Sequence, residues 1–199
     1  MYKGAISALL EELKNDNRQA FDQLFRMYYR PLVKFAMQLL DVRQDAEDAV
    51  SAFFIRLWQK RNGLPVIQYP ETYFYTAVKN TCLNLKRAHK LRSLLHQPAD
   101  LVQAVDRGGY QQPAESKELK QVLDKAIAAL PVQRRLIFML VKEDGLKCGE
   151  VAAILNLSVR TVENQLYKAV KTLAAVISRH LGYNPQKTKA GRRLGIMFL

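Results

Sequence analysis

The residues whose types and spacing could do chemistry stand close together near the C-terminal end. Arg160, Thr161, Glu163, Asn164 and Lys168 fall on the outward side of one helical stretch. Together they offer cations, a hydroxyl, a carboxylate and an amide, a mix of donors and acceptors that suits base edges and phosphates in a DNA major groove. This is the chemistry of recognition, and signs of bond-making chemistry are few. His89, His96 and His180 show no metal-ligand spacing, and neither do Cys82 and Cys148. No Gly-rich phosphate loop occurs, and paired carboxylates stand only where helix starts account for them. No metal, no cofactor, no small-molecule substrate and no catalytic set is expected.

Those five residues need a scaffold that holds one helix proud of the surface, and the segment Gly145–Leu166 reads as a helix-turn-helix. Val151, Ala152 and Leu155 form the inner face of a short first helix, with the small Ala152 side chain letting a second helix cross close by. Asn156 takes the tight-turn position, where a left-handed backbone is required and Asn tolerates it better than most. Leu157 plugs the turn into the core, and Ser158 is a natural N-cap for the next helix. Val162 and Leu166 then face inward. The first helix lacks a Ser or Thr cap, because Lys147 and Cys148 supply none, and Gly149 weakens it further, so packing must hold it. An ordinary helical hairpin with a solvated charged face is the plainer alternative.

Helical periodicity also dominates the front half. From Ala20 to Leu40 the apolar positions Phe21, Leu24, Phe25, Tyr28, Leu32, Phe35, Ala36 and Leu39 recur at three- and four-residue steps. Pro31 interrupts this run, which predicts a kink or a break between two helices near Arg30. A helix from about Asp45 to Lys60 follows, with Val50, Phe53, Phe54, Leu57 and Trp58 as its buried stripe. Carboxylates in its first turn suit the helix dipole. After the breaker Arg61–Pro65 and the loop ending at Pro70, a third helix is predicted from about Glu71 to His89. Its first half is aromatic (Tyr73, Phe74, Tyr75) and its second half polar and basic (Lys79, Asn80, Asn84, Lys86, Arg87, Lys90). With no strand alternation anywhere, the fold class is all-α. The boundaries are a helical domain over 1–92, a linker over 93–114 rich in Pro, Gly, Gln and Asp, a second helical domain over 115–183, and a basic tail over 184–199.

Bulk properties narrow the class of partner. The 199 residues carry a formal net charge of +13, and such an excess attracts polyanions by releasing their counterions. Nucleic acid becomes the leading partner class, with a membrane surface or a plain basic enzyme as the other readings of charge alone. The two cysteines read as semi-buried thiols in a reducing compartment. The first residues carry acids directly after a short apolar run, unlike a secretory signal. No apolar stretch approaches the roughly 20 residues needed to cross a bilayer. A cytoplasmic location is expected. The tail is basic with an apolar tip and no period, which suits an unstructured extension or a weak contact with an acidic or membrane surface.

With these residues in place, the chain resembles the sigma-factor family, specifically the short extracytoplasmic-function type, over roughly residues 18 to 178. Leu130–Phe138 looks like the entry to the family's fourth region, the helix-turn-helix follows at the expected distance, and Tyr167–Leu173 closes it. Asp45–Trp58 looks like the helix that the family docks on the polymerase clamp. Tyr73–Arg87 is similar to the helix that reads the minus-10 element. Departures stand at Ser51 and Ala52, where Gln and Glu are common, at Tyr73 for a frequent Trp, and at Asn84 for a frequent Asp.

The resemblance implies a sigma factor that binds core RNA polymerase and promoter DNA and leaves covalent chemistry to the polymerase. By its implication Tyr73, Lys79, Asn80, Lys86, Arg87 and Lys90 hold the opened minus-10 strand, with a base pocket between the loop Gly63–Tyr69 and Asn80. Arg160, Thr161, Glu163, Asn164 and Lys168 dock on the minus-35 duplex, and Asp45, Asp48, Ser51 and Phe54 face the polymerase, although Phe54 also suits the core. An anti-sigma protein is the further partner implied. The rival from another class is a stand-alone helix-turn-helix regulator, whose front half would sense a ligand or a partner. An RNA-binding adaptor is a third reading.

Overall fold

A helix with apolar residues at three- and four-residue steps leaves a stripe that must be covered by other helices, and the chain meets this requirement in two separate units. The computed structural model describes residues 3–95 and 114–181. The described part of the first unit holds α1 (Lys3–Lys14), α2 (Arg18–Ala36), α3 (Arg43–Gln59) and α4 (Pro70–Leu95). The described part of the second holds α5 (Ala114–Ala128), α6 (Val132–Phe138), α7 (Cys148–Leu155) and α8 (Val159–His180). All the regular structure in the described residues is helical.

In the first unit, α2, α3 and α4 close on an aromatic core. Tyr28 meets Phe74 edge-on at 5.0 Å between centroids, and Phe35 meets Tyr75 at 5.2 Å. Phe54 sits among Phe25 at 4.8 Å, Phe53 at 5.1 Å and Phe21 at 6.1 Å. Such edge-to-face pairs add to plain apolar burial. The Tyr28 hydroxyl donates to Glu71 Oε1 at 3.0 Å, tying α2 to the first turn of α4. Burial, with the neighbouring Glu71 carboxylate, pushes that phenol far above its ordinary range, so it stays a donor.

Three features depart from the sequence expectations. First, α2 runs unbroken from Arg18 to Ala36 with Pro31 inside it, where a kink or break near Arg30 was expected. Pro31 gives up the hydrogen bond to the Met27 carbonyl, but Tyr28 and Leu32 on one side of it and Phe35 beyond are all buried, and that packing outweighs the local defect. Second, α1 is an element the periodicity reading did not draw; its Ile6, Leu10 and Leu13 are buried and α1 packs on α2. Asn17 ends the turn between them, its Oδ1 accepting from the Gln19 and Ala20 N–H groups at 2.9 and 3.3 Å. Third, α4 begins at Pro70, a residue suited to the first helical position, and continues to Leu95, beyond the expected end near His89.

The second unit packs α5 and α6 against α8. Leu130, Phe138, Ala169 and Leu173 form a buried cluster, with Leu123, Ile127, Leu166 and Val170 closing over it. After α6 the backbone widens into a π-helical turn, Met139–Glu143, and turns at Gly145 with φ +72°. Most of the expected linker, residues 96–113, and the expected tail over 184–199 lie outside the described residues. Among the described residues no helix is long and apolar enough to cross a membrane.

Candidate nucleic-acid interface

The turn between α7 and α8 has the geometry its residues require. Asn156 is left-handed at φ 56°, ψ 52°, and ends α7. Ser158 caps α8: its Oγ accepts from the Thr161 N–H at 3.1 Å and lies 2.8 Å from the Thr161 hydroxyl. The absent Ser or Thr cap on α7 is compensated from within the helix. Glu150, nearly buried, reaches back to accept from the Lys147 N–H at 2.9 Å, which is half of a capping box. Val151, Ala152 and Val162 are buried as read, while Leu155, Leu157 and Leu166 are only partly covered.

With Val162, Ala169 and Leu173 turned inward, the opposite side of α8 is left to solvent. Arg160, Glu163, Asn164 and Lys168 are all exposed on it. Thr161 is half-buried and engaged with the Ser158 cap, so it supports the start of the helix as well as lying beside the face. The structure adds two residues that the sequence reading passed over, Tyr167, 65% exposed, and Lys171. The signal for them was present: Arg160, Asn164, Tyr167 and Lys171 continue one stripe at steps of four, three and four. Gln165 accepts from Arg134 Nε at 3.1 Å and so fixes α8 against α6.

In the first unit α4 carries the other candidate set. Tyr73 is 39% exposed, with its ring beside Phe53 and Phe74. Asn80, Lys86, Arg87 and Lys90 are exposed, and Lys79 is partly covered. No carboxylate follows Glu71 before the end of α4 at Leu95, so the basic half of this helix has no acid on the helix itself. Asn84 fills the place of the family's frequent Asp: its Oδ1 accepts from Arg87 Nη1 at 3.3 Å, holding the guanidinium without neutralising it. Next to Asn80, the Thr81 hydroxyl accepts from Arg56 Nη2 of α3 at 2.7 Å. The loop Gly63–Tyr69, from which a base pocket with Asn80 was expected, also lines a cavity of its own. The cavity this loop lines, about 170 Å³, lies against α1 with Leu10, Glu11 and Lys14 on its wall, and Asn80 is not part of it. Val66 and Tyr69 of the loop are 79% and 60% exposed.

On α3, Asp48 is exposed and accepts from Gln44 Nε2 at 3.0 Å, and Ser51 is half-buried. Asp45 lies 3.6 Å from His89 Nδ1 of α4. Phe54 is corrected by the structure: at 2% exposure, enclosed by aromatic rings, it has no surface to give a partner and instead supports α3 from beneath. Among the described residues no group of His, Cys, Asp or Glu could hold a metal ion. Burial pushes the Cys82 thiol up to about 11, away from thiolate chemistry near neutral pH.

Comparison with known proteins places both halves. The family described as Sigma-70 region 2 matches residues 24–92, and that described as Sigma-70, region 4 matches residues 120–173. Together they span more than half of the chain. The ECF RNA polymerase sigma factor SigM of Bacillus subtilis (strain 168) is 24% identical over 158 residues, covering 79% of this chain and 95% of that protein. The ferric citrate uptake sigma factor FecI of Escherichia coli (strain K12) is 26% identical over 154 residues, covering 76% and 87%. Among solved structures, the sigma factor RpoE in complex with the anti-sigma factor NepR, from Bartonella quintana, superposes with a TM-score of 0.60 at 17% identity, covering 79% of this chain and 96% of that one. CnrH in complex with the cytosolic domain of CnrY gives 0.57 at 21% identity, covering 88% and 98%.

Proposed function

Since this chain belongs to the sigma-70 family, as an extracytoplasmic-function sigma factor that directs promoter-specific transcription initiation, we propose a division of labour between its two units. Residues 1–92 take core polymerase and the minus-10 element, residues 93–114 join the units, and residues 115–183 take the minus-35 duplex, with the basic tail over 184–199 beyond them. The observation that carries this reading is the pair of exposed recognition faces, one on α4 and one on α8, each supported by its own core. A stand-alone regulator would need only the second of them.

On α8, Arg160, Asn164, Tyr167 and Lys168 lie where side chains reach base edges, Glu163 accepts from an exocyclic amine, and Lys171 meets the flanking phosphates. On α4, Tyr73 offers a ring face to an unpaired base, Asn80 reads an edge, and Lys79, Lys86, Arg87 and Lys90 hold the strand's phosphates. Unstacking a base costs a few kcal/mol, which stacking and edge contacts of this kind offset. Asp45, Asp48 and Ser51 of α3 face the polymerase, which performs all covalent steps. The solved relatives were captured with NepR and CnrY, and an anti-sigma protein is the regulator we assign to this chain as well.

Two substitutions separate the roles of the two faces. Arg160→Ala is expected to weaken promoter binding by about 1–3 kcal/mol if its contact is bidentate to a base, with helicity by circular dichroism unchanged. Asn80→Ala is expected to leave initial duplex binding intact and to reduce strand opening in a permanganate footprint. Full promoter output from a folded Arg160→Ala protein would remove Arg160 from the interface, and normal opening by Asn80→Ala would remove Asn80.

A further inference from the structure

The connection from α3 to α4 is held at its stem by one side chain. Arg61 opens the 3-10 turn Arg61–Gly63 that follows α3, and its guanidinium meets three groups at once. Its Nη1 donates to the Trp58 carbonyl at 2.8 Å, its Cζ lies 4.2 Å from the centre of the Trp58 ring, and its Nε donates to Asp16 Oδ1 in the turn between α1 and α2. Asp16 follows α1 in the left-handed region at φ 63°, which Asp tolerates better than most residues. One side chain thereby joins the end of α3, the α1–α2 turn and the start of the loop that runs on to Pro70. Leu64, 9% exposed, pins the first residue after the turn. Beyond it the packing is incomplete: a cavity of about 170 Å³ lies between Leu64–Gln68 and the α1 residues Leu10, Glu11 and Lys14. Close packing along the loop therefore does not set its direction, and the stem does.

That direction governs where an exposed ring is held. The Tyr69 carbonyl accepts from the Tyr73 N–H at 3.0 Å, so Tyr69, 60% exposed, stands one helical turn before Tyr73, 39% exposed, and the two rings lead into α4. We propose that Arg61 is a positioning residue for the minus-10 strand: its three contacts set the loop so that Tyr69 offers an unpaired base a second stacking face next to Tyr73. The proposal rests on the strand-binding role given to α4 above. A stacking ring gives its full affinity only when it is already in place, and a loop free to swing would lose part of it to ordering on binding. Arginine suits this work because its planar guanidinium can lie over the Trp58 ring while its edge donates in two directions, which a lysine ammonium cannot match.

The test uses reconstituted holoenzyme and its affinity for a single-stranded minus-10 oligonucleotide, with duplex promoter binding, core polymerase affinity and melting temperature measured beside it. Tyr69→Ala is expected to lose roughly 5- to 100-fold in single-strand affinity, the worth of one base–aromatic stack. Arg61→Ala is expected to lose a comparable part of it at temperatures where it is folded, with core polymerase affinity unchanged. Arg61→Lys is expected to recover only some of that loss, because it keeps the charge opposite Asp16 without the fork. The decisive reading is the double variant. If Arg61 acts through the loop, Arg61→Ala/Tyr69→Ala binds the strand no more weakly than Tyr69→Ala alone, whereas independent effects multiply. Should Arg61→Ala fail to form holoenzyme, Asp16→Asn, which keeps a residue suited to the left-handed turn, takes its place in the same cycle. Losses that multiply, or wild-type strand affinity in the stem variant used, overturn the proposal. So does wild-type strand affinity in Tyr69→Ala, which would leave the strand to Tyr73 and Asn80. A wild-type holoenzyme that binds no minus-10 strand would instead sink the reading of α4 on which the proposal rests.

Discussion

Phe54 and Asp48 lie on the same helix, yet the structure gives them different surroundings. Phe54 is enclosed by Phe21, Phe25 and Phe53, whereas Asp48 is exposed at the surface of α3. Phe54→Ala is expected to destabilise the fold by about 3–5 kcal/mol through the lost burial and the cavity left behind. Asp48→Ala is expected to leave the melting temperature nearly unchanged and to weaken core polymerase binding. Thermal denaturation beside an affinity measurement for core polymerase checks both, and a Phe54→Ala protein that melts normally but binds polymerase poorly would reverse the assignment. At this scale the sequence was informative wherever a residue type has one dominant use. Asn156 in the left-handed turn and Ser158 as a cap were legible because few other residues suit those backbone positions. Phe54 was ambiguous because an aromatic residue at helical spacing looks the same whether it faces a core or a partner. Tyr167 was passed over because the polar residues around it drew the reading, although its exposure makes it part of the same stripe.

The elements show where local preference gives way to packing. Pro31 reads as a break on its own, but the buried side chains around it keep α2 continuous. The cost of that arrangement is still present in the folded state, so Pro31→Ala is expected to raise stability by about 1–3 kcal/mol. Chemical denaturation with unchanged slope would measure it, and a loss of stability would mean that the ring itself fills space the core needs. The helices α3, α4 and α8 were legible from their apolar stripes and start signals, and α7 from its inner face and the turn that follows it. Helix α1 was not, because its short apolar run was weighed only against a secretory leader, and its partners in α2 are visible only in three dimensions. That the loop after Gly63 leans on α1 was hidden for the same reason, since sequence distance does not show it. The cap of α7 was underestimated because Glu150 acts backwards along the chain, a capping-box partner lacking the usual Ser or Thr.

At the scale of the whole molecule, the net charge of +13 is not spread evenly. In the described part of the first unit, α1 and α3 mix acids with bases and the connections on either side of α2 carry Asp16 and Asp41, while α4 has no acid beyond its first turn. On the division of labour we propose, that distribution assigns α3 to a protein partner and the basic half of α4 to a polyanion. Promoter affinity is accordingly expected to fall steeply with salt, as counterion release requires. The most direct test of the central claim is reconstituted transcription with purified core polymerase and a library of promoter fragments. The account predicts initiation that depends on this protein and converges on fragments sharing a minus-10 and a minus-35 element. A protein that neither binds core polymerase nor directs initiation, with any anti-sigma partner absent, would contradict it.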